Sequence, residues 1–172
     1  SVTKGINTQR GILFLGGIVS AAAGYAWQRG KNVNSLPQLV AAMTKGLVAR
    51  ELEFLERPAV TYGEQLYYKY GITGIRGEVE AGLPSVIKVG LPALQEAFAK
   101  QADLNTALVH TLLALMSVVE DSNVLWRTDI ETATQVKLWA ADILKQGSVF
   151  TQRGRAQIEN LQKRFELQRI SP

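Results

Sequence analysis

Asp103-Leu104-Asn105-Thr106-Ala107-Leu108-Val109-His110-Thr111-Leu112-Leu113-Ala114-Leu115-Met116 is the stretch that decides the fold class. Leu104, Leu108, Leu112 and Leu115, continued by Val119, recur at the three- and four-residue steps that gather side chains on one helix face. Leu113 and Met116 widen that face until the helix reads as buried nearly all round. Asp103 stands where an N-cap would accept the first orphan amides.

The same punctuation recurs on both sides. Ser35 with Gln38, Thr61 with Glu64, and Thr128 with Glu131 have capping-box spacing, and Pro37 suits a first helical turn. Leu36, Val40, Met43, Leu47 and Leu52 continue a helix toward Pro58. Tyr67, Tyr68 and Tyr70 end one at Gly71. Pro84 opens a run through Val86, Leu91, Leu94 and Phe98, which Pro92 should kink or divide. Val136, Leu138, Ile143 and Leu144 lead to a stop at Gly147, and Ile158, Leu161 and Phe165 mark a last helix. Period-2 alternation with turn chemistry is missing, so the expected fold is all-α, a bundle of about six to eight helices. Residues 11–27 carry no charge and are rich in Gly and Ala. They read as a buried central helix that neighbours can approach closely, rather than a membrane span.

The chain of 172 residues is long enough for a single helical domain with its own core, spanning 1–172. Its opening at Ser1 and its end at Ile170-Ser171-Pro172 read as a piece of something longer. A formal net charge of +4, from 19 Lys and Arg against 15 Asp and Glu, suits an anionic ligand. The basic residues form no stripe interleaved with aromatics, which argues against nucleic acid as a partner. The chain has no cysteine, which excludes disulfides and thiolate metal sites and accords with a cytoplasmic setting.

Three polar knots carry the chemistry. Asn7-Thr8-Gln9-Arg10-Gly11 precedes the apolar helix, where backbone amides with Arg10 and Lys4 would cradle phosphate, although the Gly-Lys-Ser/Thr of a P-loop is absent. Gly74-Ile75-Arg76-Gly77-Glu78-Val79-Glu80-Ala81-Gly82 sets an arginine and two acids between glycines. On a helix Glu78 and Glu80 would point roughly 200° apart, so both reach one ligand only from irregular backbone. A general base, a Mg²⁺ ligand and a salt-bridge network are all open readings of this knot. Asp121-Ser122-Asn123, with Arg127 nearby, offers oxygen ligands for Mg²⁺ or anchors for ribose, or else caps the next helix. Trp126 beside it can pack or stack on a base. The single histidine, His110, sits mid-helix and reads as a packed or surface residue rather than a catalyst. Glu51, Glu53, Glu56 and Arg57 read as a solvated helix end.

At these knots the chain resembles the triphosphoribosyl-dephospho-coenzyme-A synthases of the CitG type, including their malonate decarboxylase counterparts. The resemblance rests on residues 5–11, on Gly46-Leu47-Val48-Ala49-Arg50-Glu51-Leu52, on residues 71–84, on Asp121-Ser122-Asn123 and on Ile170-Ser171-Pro172. Gln9-Arg10 stands where the family often has His-Lys, and Glu120 and Ser122 flank Asp121 where it commonly has glycine and threonine. The resemblance implies an all-helical fold and a longer chain. It also implies a transferase that joins ATP to 3′-dephospho-coenzyme A with release of adenine, making a prosthetic-group precursor for citrate lyase or malonate decarboxylase. It further implies that Glu78 or Glu80 acts as base and that Asp121 binds Mg²⁺ or protonates adenine, with Glu78 as a second Mg²⁺ ligand. Arg76, Arg10 and Lys4 would then hold triphosphate, while Asn7, Thr8, Asn123 and Arg127 contact sugar or phosphate. The expected partners are the two substrates and Mg²⁺, with room for a homo-oligomer and none for a membrane. The rival reading is a noncatalytic helical nucleotide-binding or scaffold module.

Overall fold

The structure, a computed structural model, describes residues 10–54 and 56–170. Among them the fold is all-α, with nine α-helices and no strand. The helices are α1 Arg10–Gln28, α2 Leu36–Thr44, α3 Tyr62–Tyr70, α4 Gly74–Glu80, α5 Leu91–Ala99, α6 Leu104–Met116, α7 Ser122–Arg127, α8 Ile130–Lys145 and α9 Gln152–Gln168. Tight 3₁₀ turns lie at Val33–Ser35 and Ser148–Phe150, and wider π turns at Ala49–Glu53 and Val86–Gly90. The helix count exceeds the sequence expectation because α4 and α7, read as polar knots, are themselves short helices. The chain divides into two compact units, residues 1–59 with 75–83, and residues 60–74 with 84–172.

In the first unit α1 packs on α2 and on the Val33–Ser35 turn. Its core draws on Ala22, Ala26, Val40, Leu47, Leu52, Val79 and Leu83. The expectation of a central buried helix is corrected here, since α1 buries only Ala22 and Ala26 among its described side chains. Ile12 is 72% and Trp27 88% exposed, and no group lies within 4 Å of a Cβ built on Gly16, Gly17 or Gly24. The physical reason is that apolar residues surround this helix on all sides, whereas its packing partners cover only one stripe. By length and composition Gly11–Gln28 also meets the requirement for crossing a membrane. Gly82 is dictated twice, by a φ of +79° and by Pro37, whose carbonyl oxygen lies 2.8 Å from where a Cβ would stand.

In the second unit α6 packs between α5 and α8, α9 lies along α8, and α7 joins α3 to α8. One apolar cluster unites Leu66, Val124, Leu125, Ala133, Val136 and Ile170. A second unites Leu113, Ala140, Ile143 and Leu161, and both clusters share Met116, Trp139 and Phe165. Each large aliphatic side chain so buried contributes about 1.5–3 kcal/mol. α6 is one-sided rather than buried all round: Ala107, His110, Leu113 and Ala114 face inward while Leu104, Leu108 and Leu112 stay exposed.

The caps explain where helices start. Thr61 and Glu64 form the full reciprocal box at α3, and Gly71 closes that helix in the left-handed region. Asp103 caps α6 by accepting from Thr106 N–H. Two expected boxes do not close: Ser35 keeps the N-cap position of α2 without a side-chain cap bond, and the cap of α8 moves on by one residue. Asn32 caps the turn ahead of α2 while Ser35 donates to the Asn32 carbonyl. Asp129 caps α8 while the Thr128 hydroxyl donates back to Val124. In both places a better acceptor stands close by, an Asx side chain in an extended conformation. Pro92 divides its run as expected. It lies in the first turn of α5, where its missing N–H costs little, and the helix before it widens into the Val86–Gly90 π turn.

Candidate functional site

The Arg-Gly-Glu-Val-Glu string folds as regular helix rather than irregular loop, since α4 runs from Gly74, at φ +55°, to Glu80. Arg76 and Glu80 are then one turn apart on one face, and Glu78 projects from the other side. That face meets residues 46–51 of the same unit. Glu80 accepts from Gly46 N–H at 2.6 Å and from Val48 N–H at 2.8 Å. Arg76 donates through Nε to Glu51 Oε2 at 2.6 Å.

The reason lies in the broken helix that Glu80 faces. α2 stops at Thr44, Gly46 takes φ +75°, and helical winding resumes toward Ala49–Glu53. Amides at such a restart have no intrahelical acceptor. Glu80 supplies both oxygens, acting as an N-cap from a distant part of the chain. The Val48 and then the Gly46 hydrogen bond hold its carboxyl below the usual carboxylate range, against some loss of hydration, with Arg50 adding a favourable charge. Arg50 itself donates to the Lys45 carbonyl at 3.0 Å. A carboxylate held ionised by two amides is a firm anchor and a weak base.

In the second unit Asp121 is the N-cap of α7, its Oδ1 accepting from Asn123 N–H at 2.8 Å and Val124 N–H at 3.1 Å. Arg127 occupies the last turn of α7, where a cation complements the helix dipole. Trp126 stacks on Tyr62 at 4.0 Å between ring centroids. A shallow hollow beside this cap is lined by Met116, Val119, Asp121, Ala133, Val136 and Lys137. Lys137 pairs with Glu120. Lys4, Asn7 and Thr8 lie outside the described residues, and Arg10 is described only as the start of α1.

Among the described residues no three His, Cys, Asp or Glu side chains gather as a metal cage. Mg²⁺ characteristically takes one or two carboxylates together with phosphate oxygens and water.

Two residues were missed by sequence reasoning. Glu51, read as part of a solvated helix end, is the partner of Arg76. Ser148, buried at φ +53°, shares a 2.8 Å hydrogen bond with His110 Nδ1, so the lone histidine is a packed core group as expected. Glu96 lies 3.7 Å from the other ring nitrogen and is held below the usual carboxylate range, chiefly by Lys100.

These features define an all-helical protein whose charged side chains are organised around helix starts. Residues 1–172, the whole chain, match the model of the CitG family, ATP:dephospho-CoA triphosphoribosyl transferase, and the chain belongs to that family. It is 42% identical over 159 residues to a probable 2-(5″-triphosphoribosyl)-3′-dephosphocoenzyme-A synthase of Malonomonas rubra, covering 90% of this chain and 50% of that protein. It is 43% identical over 146 residues to the synthase of that name from Pectobacterium atrosepticum, covering 84% and 48%. A probable synthase 1 of Salmonella typhimurium is 33% identical over 172 residues, covering 99% and 57%. The chain therefore spans about half the length of the curated relatives it matches. No solved structure matches it.

Proposed function

We propose that this chain is part of a synthase that transfers the triphosphoribosyl group of ATP to 3′-dephospho-coenzyme A. The observation that carries the reading is the family match across all 172 residues, together with the motif helix α4 anchored by Arg76 and Glu80. In the proposed reaction the 2′-hydroxyl oxygen of dephospho-coenzyme A bonds to the anomeric carbon of the ATP ribose. The bond from that carbon to adenine breaks through an oxocarbenium-like state. The hydroxyl proton goes to a carboxylate, and a second acid donates a proton to the ring nitrogen of adenine as it leaves. The product would serve as prosthetic-group precursor for the acyl carrier protein of citrate lyase or malonate decarboxylase, in the cytoplasm.

Between the two candidate bases we assign Glu78. Glu80 accepts one amide at each oxygen, and a proton on either would weaken the contact made there, whereas Glu78 projects from the other side of α4. Arg76 is the triphosphate ligand of this unit, with Lys4 and Arg10 as further cations and Asn7 and Thr8 as sugar or phosphate contacts. Asp121, Asn123 and Arg127 of α7 are assigned to substrate, with Asp121 as the group that protonates adenine or meets Mg²⁺. When bound with ATP, Mg²⁺ supplies charge neutralisation at the triphosphate.

The test incubates the complete polypeptide with ATP and 3′-dephospho-coenzyme A and follows free adenine. Release that needs both substrates supports the synthase. Release with ATP alone would indicate a nucleotide hydrolase, and no release would favour the noncatalytic binding module. Glu78→Gln should lower turnover by about 10²–10⁴-fold while ATP still binds. Unchanged turnover would remove Glu78 as the base.

A further inference from the structure

We infer that Glu51 is a positioning residue for phosphate recognition, acting through Arg76; the inference rests on the reading above. The ion pair joins Arg76 Nε to Glu51 Oε2 at 2.6 Å, and its two side chains are 23% and 46% exposed. Partly exposed pairs of this kind add little to stability because water screens them and two long side chains must be ordered. Holding the fold together is thus a poor account of the contact.

The geometry supplies a better one. A guanidinium is a rigid planar fork, and a carboxylate on its Nε fixes the orientation of that plane. The opposite edge, built from the two terminal nitrogens, is the edge that grips a phosphate with two parallel hydrogen bonds. An arginine fixed by one carboxylate loses less conformational freedom when an anion arrives.

The rest of the segment supports the assignment. Glu51 sits on the Ala49–Glu53 turn, whose start is pinned by Glu80 through Gly46 and Val48. Arg76 and Glu80 lie one turn apart on α4, so the Glu80 anchor brings residues 46–51 up to the face that carries Arg76. Glu51 therefore receives its position from Glu80 and passes it to Arg76. Arg50 points back to the Lys45 carbonyl instead, which leaves the pairing between Glu51 and Arg76 unambiguous.

The test is calorimetric titration of inorganic triphosphate into the complete polypeptide, alongside steady-state kinetics. Glu51→Ala should weaken triphosphate binding about tenfold and raise the KM for ATP by the same factor. Turnover at saturation and the KM for dephospho-coenzyme A should stay within about twofold. Glu51→Gln keeps an acceptor for Nε and should lose only about threefold. The Glu51→Ala/Arg76→Ala pair should bind no worse than Arg76→Ala alone, because both act through one fork. Melting temperatures of the Glu51 variants should stay within about 3 °C of the parent. Unchanged triphosphate affinity in Glu51→Ala, additive losses in the double variant, or a parent protein that binds no triphosphate would each overturn the inference. A parent that binds triphosphate in this Glu51-dependent way but releases no adenine would instead overturn the synthase reading alone.

Discussion

Replacing Gly82 by alanine separates two costs that the structure puts at one position. The residue has φ +79°, where an L side chain is strained by about 1–2 kcal/mol. Its new Cβ would stand 2.8 Å from the Pro37 carbonyl oxygen and 3.3 Å from that carbonyl carbon. Backbone cannot swing aside as a side chain can, so this overpacking adds about 1–3 kcal/mol. Alanine returns about 0.4–1 kcal/mol by restricting the unfolded chain, leaving a net loss of about 1–5 kcal/mol, centred on about 3. At about 2–4 °C per kcal/mol for a chain of this size, the melting temperature should fall by about 8 °C. Gly71 is the internal control, with φ +70° and nothing within 4 Å of its would-be Cβ. Gly71→Ala bears the strain without the collision, and its melting temperature should fall by only about 2 °C. Thermal melts of both variants of the complete polypeptide, followed by circular dichroism at the helical minimum, make the comparison. Equal losses in the two variants, or a Gly82→Ala melt indistinguishable from the parent, would refute the reasoning.

Three further outcomes follow from described contacts. Glu80 has a folded-state pKa held below 4.5, so its contribution to stability is fully present above that value. It is lost as pH falls through and below 4.5; melts between neutral pH and pH 3 should show this acid loss, and Glu80→Gln should flatten it. Asp121→Ala removes the acceptor for two α7 amides and should cost about 1 kcal/mol in denaturant titration, with Asp121→Asn recovering most of it. Gly154→Ala would place a Cβ 1.7 Å from the Ser148 carbonyl oxygen. It should cost more than the roughly 3 kcal/mol of ordinary overpacking, seen as loss of the cooperative melt.

Legibility in the sequence followed the range of the interaction. Local devices read well: the Thr61–Glu64 box, the Asp103 cap, the Gly71 stop and the division at Pro92 each depend on a few neighbouring residues. At α2 the spacing gave the start correctly, with Ser35 at the N-cap position, but not the loss of its cap bond; at α8 Asp129 outcompetes Thr128, a contest that spacing alone does not decide. Long-range pairings were invisible. Glu51 and Arg76 are 25 residues apart, and His110 and Ser148 are 38 apart. The exposure of α1 and of Leu104, Leu108 and Leu112 was hidden for a related reason, since periodicity says which residues share a face but not which faces are covered. The family resemblance offered both Glu78 and Glu80 as the base, with Glu78 slightly ahead. The capping role of Glu80 appears only in the folded chain, where the amides of Gly46 and Val48, 34 and 32 residues away in sequence, reach its carboxylate.

The two grips of α4 on the 46–51 segment sit one helical repeat from each other, and this makes that stretch intolerant of length change. Inserting or deleting a single residue between Arg76 and Glu80 would rotate one grip by about 100° relative to its mate, so that only one could be kept. Drift in length among descendants of this sequence is therefore expected elsewhere, in connections such as residues 29–32.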